Sequence, residues 1–342
     1  MAGKKPKVVV IGGGTGTFVV LSGLKSATSR SKHPSELAIT AIVTMMDSGG
    51  STGRLRDQYG VLPPGDIRQA LVALSDSDEL WRKLFLYRFE EGDFKGHNFG
   101  NIFLAALERI SGSFQKALYM AQEVLQTKGT VIPVTLKQAN IVAHLTNGTV
   151  IHGERLIDEQ DERAPIARIA LEESVDPNPE AAQKLLEADV IVVGPGDIYT
   201  SILPNFLFPE VATAYHNSRA QKIYIANLMN KKGQTDNYTL QQYVDAFKPY
   251  LGERPFDTVV INTTPVPAEQ LTYYKEHGET PIINDISQNA QDMRIITSDL
   301  LSPNRPAISA SDVARSIVRH DPHRLAKTLL QLIYDAAPYS EE

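Results

Sequence analysis

Glycines and hydroxyls gather at a few places in this 342-residue chain, in patterns that suit a phosphate. The first is Gly12-Gly13-Gly14-Thr15-Gly16-Thr17, after a β-branched run and before an apolar helical stretch. Glycine allows positive φ and close backbone approach to a ligand. A helix start aims free N–H groups and the positive end of its dipole at an anion. Thr15 and Thr17 add hydroxyl donors. A tight strand-to-helix turn without a ligand would use the same residues. The second place is Asp47-Ser48-Gly49-Gly50-Ser51-Thr52-Gly53-Arg54-Leu55-Arg56. Its glycines and hydroxyls can form an anion nest. Arg54 and Arg56 can pair with phosphate. Asp47 can hold Mg²⁺ or a ribose hydroxyl. The plainer reading is a helix start with solvated arginines. The third is Gly194-Pro195-Gly196-Asp197-Ile198-Tyr199-Thr200-Ser201, the counterpart of the first in the second half. There Tyr199 can stack on a base or pack, and Asp197 can cap or bind.

Two further stretches are polar. In Gly96-His97-Asn98-Phe99-Gly100-Asn101, Asn98 and Asn101 can share a helix face and read a base or sugar. Asn98 can equally be a cap. Asp66, after Pro63-Pro64-Gly65, reads as a helix N-cap.

Other chemistries are excluded. The chain has no cysteine, which removes disulfides, thiolate-bound zinc, iron–sulfur clusters and thiol catalysis. It has no H-E-x-x-H, no G-x-x-x-x-G-K-[ST] and no G-x-S-x-G. Gly12 and Gly14 fit the dinucleotide fingerprint, but Thr17 takes its third position. Nicotinamide-dependent oxidoreduction is therefore the third of three functional readings. Forty acids against 34 bases give a net charge of -6, so no broad basic face favours nucleic acid. No run approaches the ~20 apolar residues of a membrane span. The first apolar run is too short for a signal-peptide core. A cytoplasmic protein is expected, with a homodimer as the default assembly.

The elements that must carry these groups alternate. Lys7–Ile11 and Leu37–Met46 read as strands buried on both faces. A helix at Phe18–Ala27 and a polar loop at Ser26–Ser35 connect them. Helical sections follow from about 66 to 127. Short strands then run from about 131 to 171, with Thr146-Asn147-Gly148-Thr149 as a hairpin signal. Alternation resumes with strands Asp189–Val193, Lys222–Ala226 and Thr258–Ile261, and a helix near Leu203–Ser218. Ile282-Ile283 and Ile295-Ile296 are short strand candidates, and His323–Ala336 is an amphipathic helix. Five strand ends carry glycine, hydroxyl, amide or carboxylate, including Asn227 and Asn262. Ligands of open parallel sheets bind at such ends. The expected fold is α/β, a Rossmann-like, doubly wound, mostly parallel sheet. One domain is expected over 1–342, with additional helices and a β-rich excursion.

Several of these motifs, in order, resemble the bacterial gluconeogenesis factor family. They are Ile11-Gly-Gly-Gly-Thr-Gly, Asp47-Ser-Gly-Gly-Ser-Thr-Gly-Arg-Leu-Arg, Pro64-Gly-Asp-Ile-Arg, Gly96-His-Asn-Phe-Gly-Asn, Gly194-Pro-Gly-Asp-Ile-Tyr-Thr-Ser-Ile-Leu-Pro-Asn and Asn227-Leu-Met-Asn. The resemblance covers essentially the whole chain. It extends to the 2-phospho-L-lactate transferases (CofD type), which use a guanylylated donor and Mg²⁺. It implies a site for a nucleotide sugar such as UDP-N-acetylglucosamine, and links to cell shape, the cell wall and gluconeogenic growth. Regulatory protein partners belong to the same picture. The site would be lined by Gly12 to Thr17, Asp47 to Arg54, Asn98, Asn101 and Gly194 to Thr200, with Asp47 at a metal-associated position. The family commonly shows Asp-Asp-Gly-Gly where this chain reads Met46-Asp47-Ser48-Gly49-Gly50, one carboxylate fewer. Asn230-Lys231-Lys232-Gly233 stands where Thr-Gln-Pro-Gly is common. No catalytic base is evident. A binding factor is the first reading, and an Mg²⁺-dependent phosphotransferase with Asp47 at its centre is the second.

Overall fold

The computed structural model describes residues 5–30, 37–159, 163–286, 293–303 and 317–336. Seven parallel strands form the main sheet. They are β1 (Lys7–Gly12), β2 (Ala38–Val43), β3 (Thr130–Pro133), β7 (Val190–Val193), β8 (Gln221–Ile225), β9 (Thr258–Asn262) and β10 (Arg294–Ser298). Their spatial order is β10-β9-β8-β7-β1-β2-β3. The chain thus winds outward from β1 in one direction, then restarts at β7 and winds in the other. That is the doubly wound arrangement, and its switch point lies between β1 and β7. The Val-Val-Val-Ile of β1 and the Val-Ile-Val-Val of β7 are fully buried. Burying each such side chain contributes roughly 1.5–3 kcal/mol.

Helices flank the sheet. On one side α1 (Gly14–Arg30) packs with α3 (Gly65–Leu74) and α12 (Pro322–Ala336). Gly23 permits that approach: a Cβ there would lie 2.2 Å from the Pro322 carbonyl oxygen. A second group holds α8 (Pro179–Glu187), α9 (Pro209–Asn217) and α10 (Leu240–Leu251). Between β2 and β3 come α2 (Gly50–Tyr59), α3, α4 (Glu79–Leu86), α5 (Phe99–Ser111) and α6 (Phe114–Leu125). Their ends follow local chemistry. Ser113 caps α6, and Thr239 with Gln242 forms a capping box on α10. Gly60 and Gly112 close α2 and α5 in the left-handed conformation.

A separate three-stranded antiparallel sheet holds β4 (Ile141–Leu145), β5 (Val150–His152) and β6 (Ile166–Leu171). The Asn147-Gly148 turn joins β4 to β5, with Gly148 at φ +86°. α7 (Glu154–Glu159) follows β5, and α11 (Ala268–Glu276) lies between β9 and β10.

Some expected elements differ. The first of the short strands expected from about 131 pairs in parallel with β2 at the edge of the main sheet, apart from the excursion. α1 runs to Arg30 through the expected Ser26–Ser35 loop, with the Thr28 hydroxyl donating to carbonyls within the helix. Residues 31–36 lie outside the described residues. The single helix expected at 203–218 is broken into a 3₁₀ turn (Leu203–Phe206) and α9, and a π-turn (Ile198–Ile202) precedes them. Pro204 and Pro209 cannot donate within a continuous helix, and Pro209 starts α9 instead. Ile282-Ile283 is no strand: Ile283 makes only an isolated bridge to Thr239.

Candidate functional site

The two glycine loops meet at the switch point. Gly14, Thr15, Gly16 and Thr17 form the first turn of α1 rather than a loop before it. Gly14 has φ +64°, the left-handed conformation that glycine makes cheap. A Cβ on Gly16 would lie 1.8 Å from the Pro195 carbonyl oxygen, so the two loops touch through bare backbone. Thr17 is buried and donates its hydroxyl to the Gly13 carbonyl at 3.1 Å. Its hydroxyl therefore braces the turn, while Thr15 lines a cleft. Asn227, at the end of β8, clamps the second loop: its amide donates to the Gly196 carbonyl at 2.7 Å.

That cleft has a volume of about 260 Å³. Thr15 and Gly16 form part of it, with Pro195, Gly196, Asp197 and Asn227. Asn230, Lys231, Glu279 and His320 add polar groups from later in the chain.

Beside the first loop sits a group of carboxyls. Asp47 accepts from the Gly49 N–H at 2.9 Å. Burial raises its pKa, against the Gly49 N–H, the Thr52 hydroxyl and the Arg68 charge. Asp66 is not the N-cap of α3; Pro64 holds that position. The Asp66 carboxyl instead accepts from the Gly14 backbone at the start of α1. A Cβ on Gly13 would lie 2.4 Å from its Oδ2. Burial, and then the neighbouring Asp47 charge, push Asp66 up to about 7. Glu154, on α7, accepts from the Ser48 N–H at 3.2 Å. Burial and the Asp47 charge push it up to about 8. A carboxyl group from a different element thus stands beside Ser48. Buried Arg68 offsets part of this charge, and burial lowers its own pKa only to about 10, so it stays cationic.

Among the described residues no group of three or more His, Asp and Glu side chains can hold a metal ion by itself. Mg²⁺ commonly takes one or two carboxylates plus waters and substrate phosphates. Asp47 and Asp66 are oxygen donors of that kind beside a helix start, and the set fits Mg²⁺ on those terms.

Other expected site residues have structural partners. Asn98 is buried and caps α5 by accepting from the Asn101 N–H. Asn101 accepts from Arg68 Nε at 2.9 Å and donates toward Thr52. It meets Asp47 only through Thr52 and Arg68. Ser51 contacts His97 Nδ1 and accepts from the Asn98 N–H. Gly50 is exposed at φ +46°. Arg54 is exposed and donates to the Lys95 carbonyl, and Arg56 pairs with Asn140. Tyr199 and Thr200 are buried; the Tyr199 hydroxyl meets that of Tyr238. Asp197 forms an ion pair with Lys231, which also pairs with Asp158 of α7.

Sequence reasoning missed Asp66 as a site group, together with Glu154, Asp158, Asn230, Lys231 and His320. A polar residue on a short helix within an excursion gives no local sign that its partner lies far away. Asn230 and Lys231 stood out only as a departure from the family pattern.

The family model for 2-phospho-L-lactate transferase CofD matches residues 8–301. A protein named gluconeogenesis factor from Bacillus subtilis is 37% identical over 97% of this chain and 99% of its own. The chain belongs to the gluconeogenesis factor family, in the wider CofD family. Another gluconeogenesis factor, from Listeria innocua, is 40% identical over 96% of both chains. The crystal structure of a UPF0052 family protein from Bacillus halodurans superposes with a TM-score of 0.85 at 34% identity. That superposition covers 96% of this chain and 99% of the other. The seven-stranded α/β architecture is therefore that of a solved relative. No helix among the described residues is long and apolar enough to cross a membrane.

Proposed function

We propose that this protein is a regulatory factor that binds a nucleotide sugar, with UDP-N-acetylglucosamine the first candidate. The observation that carries the reading is the cleft at the switch point, where two glycine loops and the start of α1 face polar side chains. The diphosphate would lie against the N–H groups of the α1 first turn. Asn227, Asn230 and His320 would face the remainder. Binding would report nucleotide-sugar supply to partner proteins in the cytoplasm that govern cell shape and wall synthesis during gluconeogenic growth. Calorimetry with UDP-N-acetylglucosamine and UDP-glucose tests this. No heat and no thermal shift with either would overturn it.

A second reading draws on Asp47 and Asp66 beside the first loop. With Mg²⁺ bound there, the protein would transfer a phosphoryl-linked group from a nucleotide diphosphate donor to an acceptor hydroxyl, breaking the diphosphate linkage and releasing the nucleoside monophosphate. The ion would neutralise phosphate oxygens, and the α1 backbone would orient them. Incubation with a guanylylated lactate donor, a deazaflavin acceptor and Mg²⁺ should then yield product. Absence of product would exclude that substrate pair.

A further inference from the structure

His320 and Asn230 line the cleft, and both are more than nine-tenths buried. Each carries a buried atom with no hydrogen-bond partner among the described residues: Nε2 of His320 and Oδ1 of Asn230. Local bonding fixes the character of both atoms. One ring N–H of His320 hydrogen-bonds the Ala226 backbone. The Ala226 N–H is already donated to Val260, so the ring bond goes to the Ala226 carbonyl. Because Nε2 is the unpartnered nitrogen, the proton sits on Nδ1, and Nε2 of the neutral ring has a free lone pair. Burial pushes the His320 pKa down to about 4, so the ring is neutral near pH 7. For Asn230, the amide nitrogen donates to the Tyr238 carbonyl at 3.1 Å, which leaves Oδ1 as an acceptor.

Two unsatisfied buried acceptors on residues that line one cleft are costly, at roughly 1–3 kcal/mol each. Native proteins keep few such groups. The segments that carry them are well held. The Asn230 N–H donates to the Thr280 carbonyl at 2.7 Å. The Asp321 N–H donates to the Leu300 carbonyl at 2.7 Å, and the Val318 N–H to the Tyr274 hydroxyl at 3.1 Å. The acceptors are therefore fixed in place before any ligand arrives, as a preorganised recognition site requires.

We propose that His320 Nε2 and Asn230 Oδ1 receive hydrogen bonds from donor groups, hydroxyl or N–H, on the uncharged part of the bound ligand. The pair selects ligands that carry donors there and rejects those that present an acceptor or a methyl group in their place. This inference rests on the nucleotide-sugar reading. It adds which side chains read the ligand and what they demand of it. The donors can come from the nucleoside or from the sugar, and two probes separate these sources.

The test is calorimetry of the wild type, His320→Phe and His320→Gln at neutral pH, with UDP and with UDP-N-acetylglucosamine. Phenylalanine keeps a ring but has no acceptor; glutamine can donate to Ala226 and still offer an oxygen. His320→Phe should bind at least roughly tenfold more weakly, and His320→Gln within about threefold of the wild type. Equal loss with both probes places the donor on the nucleoside, and loss with the sugar nucleotide alone places it on the sugar. In parallel, the ¹⁵N resonance of His320 Nε2 in the wild type should shift when the probe binds. That readout does not depend on any variant folding. Wild-type affinity in His320→Phe, or a Nε2 resonance that stays still while the probe binds, would overturn the inference alone. If the wild type binds neither probe, the nucleotide-sugar reading falls and takes this inference with it.

Discussion

A methyl group on Gly16 would sit 1.8 Å from the carbonyl oxygen of Pro195. The obstacle is backbone in both directions, so neither side can rotate away. Gly16→Ala must push the two glycine loops apart. Overpacking of this kind costs about 1–3 kcal/mol. We expect that loss in denaturant unfolding, together with at least a tenfold loss of nucleotide-sugar binding by calorimetry. Gly50→Ala is the control: a Cβ there meets nothing within 4 Å, and only its φ of +46° is strained. Its cost should be about 1 kcal/mol. Equal effects of the two substitutions would refute the close-contact account.

Asp66 and Glu154 hold protons at about 7 and about 8, above the ordinary carboxylate range. The folded protein therefore keeps protons that the unfolded chain has already released. The stability tied to these groups is full below about pH 4 and is lost as pH rises through 7 to 8. Asp66→Asn and Glu154→Gln should each raise Tm by a few degrees near pH 8, with little gain near pH 5. Mg²⁺ should raise the wild-type Tm more at the higher pH. A Tm that drops in both variants near pH 8 would contradict this.

His320 runs in the opposite direction. Its pKa falls from the ordinary histidine range to about 4. The stability involved is full above about 6.5 and is lost as pH falls toward 4, on the order of 3 kcal/mol in all. A plot of Tm against pH should lose that acid-side slope in His320→Gln. An unchanged slope would mean that the ring is protonated without penalty.

Lys231 ties α7 to the second glycine loop through Asp158 and Asp197. Lys231→Met leaves both carboxylates without that cation. Both are about a third exposed, so the loss should be roughly 1–3 kcal/mol, below the range for a fully buried pair. Adding Asp158→Asn and Asp197→Asn should recover part of it. A triple variant no better than Lys231→Met would show that charge is not the cause.

Much of the framework was legible in the chain. The apolar runs of β1 and β7 could only be strands covered on both faces, and Asn147-Gly148 marked its hairpin. The meeting of residues 12–17 with 194–197 followed from strand ends in a parallel sheet. What stayed hidden was non-local. Asp66 has the local signature of a cap, but its carboxyl is taken by Gly14 of another helix. Asn98 carried two readings, and the structure displays the capping one, with its Oδ1 accepting from the Asn101 N–H. Arg54 reads as a phosphate ligand, and its contact with the distant Lys95 carbonyl has no local sign. His320 comes into play only because the segment before α12 bridges to Leu301 and returns beneath the strand ends.

The packing of α12 on α1 has a consequence for how the molecule would answer its ligand. The cleft takes one wall from the first turn of α1 and another from His320, immediately before α12. A guest held there acts as a clasp between an early and a late stretch of the polypeptide. Binding energy enters as a weight on the assembled state of both. Amide exchange should then slow along α12 as well as at the glycine turns, although α12 itself need touch no ligand atom. Occupancy would be written into the firmness of a distant helix, a surface that another protein could sense.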